Sequence, residues 1–150
     1  MEIFERITKA FSDESLEDLQ NILDNPRERP YLEKVLSDAQ KSYLFYLTKD
    51  KFIATIIKQV SPDFWKIDSK NGGRKENLLH FFINERFLLS IEALLGLKHP
   101  HVAQIISEVN LAGSTPFMSS LKQKMEEVSL KIWEIKTELT SWRFRKCGSF

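Results

Sequence analysis

Apolar residues recur along this chain at intervals of three and four, broken every ten or so positions by polar turn residues. That spacing predicts short amphipathic helices. Phe4, Ile7 and Phe11 share one helical face, and Ser12-Asp13-Glu14-Ser15 interrupts it. Ser15 is placed to N-cap a second helix carrying Leu16, Leu19, Ile22 and Leu23, which Asn25-Pro26 stops. Pro30 suits a first helical turn, followed by Tyr31, Leu32, Val35 and Leu36. No stretch alternates apolar and polar residues with turn signals in the manner of strands, so an extensive sheet is not expected.

The same grammar continues. Ser42 to Thr48 is dense in Tyr43, Leu44, Phe45, Tyr46 and Leu47, and the charged break Lys49-Asp50-Lys51 follows. Phe52, Ile53, Ile56, Ile57 and Val60 then form a helix that Ser61-Pro62 ends. Ser69 to Glu76 reads as an exposed loop around Gly72-Gly73. Beyond it come a short apolar helix from Asn77 to Ile83, a polar break at Asn84-Glu85-Arg86, and a helix from Phe87 to Leu95. After Lys98-His99-Pro100, the residues Val102, Ile105, Ile106 and Val109 extend the apolar surface, and Asn110-Leu111-Ala112-Gly113 is a turn. Thr115 with Pro116 begins the next helix. In the last helix Val128, Ile132, Ile135, Leu139 and Trp142 form a regular seam that seals the end of the core.

Three segments begin alike: Ser42-Tyr43-Leu44-Phe45, Asn77-Leu78-Leu79-His80 and Thr115-Pro116-Phe117-Met118. Their starts lie 35 residues apart (77 minus 42) and then 38 (115 minus 77). A period of this size points to stacked helical units, each covering its neighbour's apolar face.

The stretch Asn110 to Phe117 resembles the ankyrin repeat. It carries a turn glycine followed by Thr-Pro, with Phe117 and Met118 where the family has Leu-His. The middle segment keeps Leu79-His80 but has Asn77-Leu78 for Thr-Pro. The first keeps a hydroxyl cap and the leucine, and Phe4 to Leu23 is similar to the family's N-terminal cap. The resemblance implies an all-α fold, a short α-solenoid of stacked ankyrin-like helix-turn-helix repeats with helical caps. The whole chain, 1–150, is then one domain, with a cap at about 1–40 and repeats at about 41–76, 77–114 and 115–145. It implies that His80 joins the loop network that locks adjacent units. It also implies a partner-binding surface on the first helices and the loops before them, at Tyr46, Lys49, Phe81, Asn84, Ser119 and Lys122. Arg74 and Lys75 sit at an inserted tip, and Trp65 among Lys66, Lys70 and Arg74 suits an interface, since Trp and Arg dominate binding hot spots.

Composition narrows the function. Lys+Arg 22 against Asp+Glu 21 leaves +1 at pH 7, too small a basic excess to suggest nucleic-acid binding. No apolar run reaches the ~20 residues of a membrane span, and the N-terminus lacks signal-peptide order, so a cytoplasmic protein is expected. The single cysteine excludes an intrachain disulfide. His99 and His101 flank Pro100 without an acidic partner at ligand spacing, so neither a metal nor another cofactor is expected. Asn71-Gly72-Gly73-Arg74-Lys75 lacks the spacing of a phosphate loop. Cys147, fourth from the end after basic residues, resembles a prenylation box with Gly148 and Ser149 in the aliphatic places, and a membrane partner is expected only if it is lipidated.

The expectation is therefore a monomeric, non-catalytic protein-protein interaction module that binds another protein and no small-molecule substrate. The alternative is an N-terminal or regulatory helical piece of a larger enzyme or of a bacterial effector, which would act in a host cytosol. A self-assembling scaffold is a third reading.

Overall fold

The computed structural model describes residues 2–47, 49–60, 77–97 and 100–148, with the backbone alone at 33, 35, 38, 42, 45, 46, 100, 101 and 139–148. Among the described residues every regular element is an α-helix. They are α1 (Ile3–Ser12), α2 (Leu16–Asp24), α3 (Glu28–Val35), α4 (Asp38–Tyr46), α5 (Asp50–Gln59), α6 (Leu78–Glu85), α7 (Leu88–Leu95), α8 (Pro100–Ser107), α9 (Pro116–Lys122) and α10 (Glu126–Gly148). The chain divides into two compact units, one of Met1–Asp68 with Leu88–Leu94, the other of Ser69–Phe87 with Leu95–Phe150.

Helix starts follow local chemistry. Ser15 accepts the Asp18 amide, Asn77 the His80 amide and Thr115 the Met118 amide, each satisfying a donor of the first turn that has no partner within the helix. Pro116 occupies the first position of α9. Ser42 is not a cap. It lies inside α4, whose N-cap is Ser37 in a reciprocal capping box with Gln40. The three comparable caps are thus Ser37, Asn77 and Thr115, 40 and 38 residues apart (77 minus 37, 115 minus 77). Asp50 and Lys51 belong to the first turn of α5, with Lys49 at its N-cap, rather than to a break. Asn84 and Glu85 likewise complete α6, and the break falls on Arg86. Val109 follows the end of α8 and is exposed, so the apolar surface stops at Ile106.

Three of the turns between consecutive helices are the same object. After α1, the Ser15 amide donates to Ala10 O (2.9 Å) and the Glu14 amide to Phe11 O (3.2 Å). After α6, Phe87 donates to Phe82 O (2.9 Å) and Arg86 to Ile83 O (3.2 Å). After α9, Met125 donates to Ser120 O (2.9 Å) and Lys124 to Leu121 O (3.0 Å). These nested bonds form a Schellman motif, which requires a left-handed residue. Glu14 (φ 54°), Arg86 (φ 59°) and Lys124 (φ 59°) supply it without glycine. The turns give a common register for the flanking helices.

In the first unit α2 packs against α1, α3 and α5. Its core holds Ile7, Phe11, Leu19, Leu23, Leu32, Leu44, Ile53 and Ile57, each worth about 1.5–3 kcal/mol when buried. The Phe11 and Phe52 rings meet at 5.2 Å between centroids. Arg6 pairs with Glu28, joining α1 to α3, and the Gln20 and Gln59 amides bond reciprocally at 2.7 Å between α2 and α5. Asp50, at the start of α5, caps α7 from a distance in sequence. Its carboxylate accepts the amides of Leu89 (3.0 Å) and Ser90 (2.8 Å) and the Ser90 hydroxyl (2.6 Å). Ser90 is fully buried, and a carboxylate at a helix N-terminus is favoured by the dipole.

In the second unit α9 packs against α6, α8 and α10. Leu79, Phe82, Ile83, Val102, Ile105, Ile106, Met125 and Ile132 form its core. Ser120 Oγ and Ser129 Oγ lie 2.7 Å apart where α9 meets α10, with the carbonyls of Phe117 and Met125 also in reach, so their two protons serve two of these three contacts.

Candidate functional site

The second unit is organised around His80, whose side chain is wholly buried. Asn77 caps α6 through its Oδ1, which accepts the His80 amide (3.0 Å), and its own amide donates to His80 Nδ1 (3.2 Å). Its Nδ2 donates to Ile105 O (2.9 Å) and Glu108 Oε1 (3.2 Å), tying the start of α6 to the end of α8. His80 Nε2 lies 2.8 Å from Ser114 O. A carbonyl only accepts, so Nε2 carries the ring proton and Nδ1 offers its lone pair to the Asn77 amide. Asn77 Oδ1, 3.0 Å from Nδ1, is the one close contact that this tautomer leaves without a proton.

The turn before α9 is shaped to present that carbonyl. Asn110 Oδ1 accepts the Ser114 amide (2.9 Å), the Asn110 amide donates to Ser114 O (3.0 Å), and the Gly113 amide donates to Asn110 O (2.9 Å). Gly113 adopts φ +80°, where a side chain would be strained. Ser114 O therefore receives two donors, one from its own turn and one from His80. A second tie runs from Arg86 Nη2, at the end of α6, to Gln123 O at the end of α9 (2.8 Å). His80 thus does join a loop network between successive helical segments.

Four of the expected partner-binding residues come together on this frame. Phe81 and Asn84 lie one turn apart on α6, and Ser119 and Lys122 one turn apart on the adjacent α9. Counted back from the left-handed turn residue, Phe81 and Ser119 stand five positions before Arg86 and Lys124, and Asn84 and Lys122 stand two before them. Asn84 and Lys122 are exposed; Phe81 and Ser119 are half-buried. The Phe81 ring also packs edge-on to Phe87, 5.9 Å away, so only part of it faces outward.

Lys49 belongs to the first unit and lies 2.6 Å from Glu14 Oε1. That hydrogen bond, reinforced by the ammonium charge, holds the Glu14 carboxyl below its usual range. Tyr46 ends α4, and Cys147 falls in the last turn of α10; the side chains of both are outside the described ones. Trp65, Arg74 and Lys75, the Gly72-Gly73 loop and His99 lie outside the described residues, as does the side chain of His101. Among the described residues no group of three His, Cys, Asp or Glu side chains is placed to hold a metal ion, and no helix is long and apolar enough to cross a membrane.

Sequence reasoning missed Asp50 as a cap for α7, Arg86 as a tie to α9, and the outward placing of Met118, Leu121 and Trp133. Charge spacing carries no sign of the first two, which depend on tertiary placement. Comparison with family models, curated proteins and solved structures finds no match.

Proposed function

We propose that this chain is a non-catalytic protein-recognition module whose helix pairs stack as ankyrin-like repeats. Its partner lies along the first helix of each pair and the loops before it, with Arg74 and Lys75 at an inserted loop tip. The observation that supports this is the matched placing of Phe81 with Ser119 and of Asn84 with Lys122. An aromatic ring, an amide, a hydroxyl and a cation occupy corresponding positions on a frame fixed beneath them by His80 and Arg86. Side chains of different chemistry held on one repeated, rigid frame are what selective recognition of a protein surface requires. The expected partner is another protein in the cytosol, bound without turnover.

Affinity capture from cytosol, read by mass spectrometry, tests the reading. The wild-type chain should retain one protein in stoichiometric amount. The N84A/K122A variant, altered at two exposed positions, should lose it while keeping its helical circular dichroism. Retention of no stoichiometric protein, or equal retention by the variant and by R74A/K75A, contradicts the proposed surface.

A further inference from the structure

The charged residues at the three left-handed turns are used in different ways. Glu14 pairs with Lys49. Arg86 donates from Nη2 to Gln123 O (2.8 Å). Lys124 is exposed, and among the described residues its side chain has no hydrogen bond or ion pair. A glycine would hold the left-handed backbone at φ 59° without strain. The chain instead places an ammonium group there, where it makes no internal bond.

Arg86 brings further positive charge to the same place. Gln123, whose carbonyl it bonds, is the C-cap of α9 and lies between Lys122 and Lys124 in the chain. The guanidinium therefore lies against backbone flanked by both lysines, and all three cations are exposed. Among the described residues none of the three has an ion pair. The carboxylates nearest in sequence are Glu85, Glu126 and Glu127, also exposed. Glu126 and Glu127 occupy the first turn of α10, where the helix dipole favours them. The negative end of the α9 dipole amounts to about half a charge, which leaves most of the positive charge beside it unanswered. Two of the proposed recognition residues stand here: Lys122 itself, and Asn84, two positions before Arg86.

We propose that the part of the partner seated at this end of the recognition surface is an acidic peptide segment, carrying two or more Asp or Glu side chains. This rests on the recognition reading above and adds the chemistry of the partner. Arg86 uses one N–H on Gln123 O, and the N–H groups left over can fork onto a carboxylate, which accepts two such donors side by side. Lys122 and Lys124 flank that fork as point charges on flexible stems, so they suit neighbouring carboxylates without demanding one spacing. A nucleic acid is disfavoured, because its affinity grows with the number of phosphates neutralised and the whole chain carries only +1. Exposed charges are screened and individually weak, so an isolated acidic peptide should bind with a Kd of about 0.1–1 mM at low salt.

NMR titration of the nitrogen-labelled intact chain with a blocked hexapeptide of alternating Asp and Glu, at about 20 mM salt, tests this. The amides around Arg86 and those of Lys122 to Lys124 should shift together and saturate. K122Q/K124Q, which removes two exposed charges, should weaken binding at least ~10-fold, and salt at about 0.5 M should abolish it. K131Q, an exposed lysine on α10, should stay within about 2-fold of wild type. No shift up to about 10 mM peptide overturns the proposal. So does binding that K122Q/K124Q leaves intact, or an equal response to a hexapeptide of Asn and Gln. A single-stranded DNA hexamer that binds ~10-fold tighter than the peptide also overturns it and assigns the patch to nucleic acid. The two readings fail separately. A captured protein that N84A releases, with no response to the peptide, refutes only the acidic segment. A peptide response that K122Q/K124Q removes, with no protein captured, supports the acid-binding patch and refutes the cytosolic partner.

Discussion

His80 and Met118 hold the same place in two copies of one motif, yet one is sealed and the other is open. Each is the third residue of a short helix that an Asn or Thr caps and that ends in a left-handed turn. His80 has no exposure and bonds on both sides of its ring, while Met118 is 52% exposed. Their followers three residues on, Ile83 and Leu121, differ in the same way. The lesson is that a repeated backbone motif does not fix the environment of its residues. What lies beside the motif does, and in the first case that neighbour is α9 with the turn before it. Position in the motif and burial are therefore separable.

The largest expected effect breaks the sealed side. H80A removes a buried ring and leaves the Asn77 amide and Ser114 carbonyl each short of one partner, which should cost about 3–4 kcal/mol in denaturant unfolding. M118A, at the corresponding open position, should stay within about 0.5 kcal/mol. Equal costs at the two sites would erase the contrast.

Next comes the polar cap of the first unit. D50A leaves the Leu89 and Ser90 amides without their acceptor and leaves the buried Ser90 hydroxyl only the Asp50 carbonyl, 3.1 Å away, and about 2 kcal/mol of stability should be lost. The same unfolding curves measure it. D50N keeps one acceptor oxygen and should recover part of the loss.

A smaller effect sharpens the equivalence of the turns. Lys124 holds a left-handed conformation that a Cβ disfavours. K124G should therefore stabilise the chain by about 1 kcal/mol, read as a rise in midpoint denaturant concentration at constant slope. A loss of stability would mean that the turn after α9 is not the motif described.

The smallest effect concerns Glu14, the corresponding turn residue of the first unit. Its carboxyl is held below the usual range by Lys49, so the pair's contribution is present above the unfolded-state pKa. It is lost as pH falls through the depressed folded-state value. Unfolding midpoints measured between about pH 6 and pH 3 should show a slight acid loss in wild type that E14Q lacks, and salt should shrink the difference.

Much of this fold was legible in the sequence because helix starts and stops are written locally. Ser15, Asn77, Thr115-Pro116 and the Asn110–Gly113 turn behave as their residue types dictate. The apolar intervals also mark the core correctly at Ile7, Phe11, Leu19, Ile53, Ile57 and Ile132. Ser42 misled because the apolar density of 43–47 draws attention from Ser37-Asp38-Ala39-Gln40, where a capping box stands five residues earlier. Asp50 sits in what the sequence presents as a charged break, since nothing in local spacing tells a surface carboxylate from one that reaches another helix. The left-handed turns at Glu14, Arg86 and Lys124 carry no glycine to announce them. As for the candidate surface, Phe81, Asn84, Ser119 and Lys122 could be placed by register alone. The open apolar face could not, because the intervals of Phe117, Leu121 and Trp133 are those of a core.

The account rests on the bond from His80 to the Ser114 carbonyl, which ties α6 to the turn before α9. Nitrogen NMR of the imidazole tests it most directly. The account predicts a ring proton on Nε2 that exchanges slowly with water and shows through-bond coupling to the Ser114 carbonyl. A proton residing on Nδ1, or an Nε2 proton that exchanges as fast as a solvent-exposed one, would contradict it.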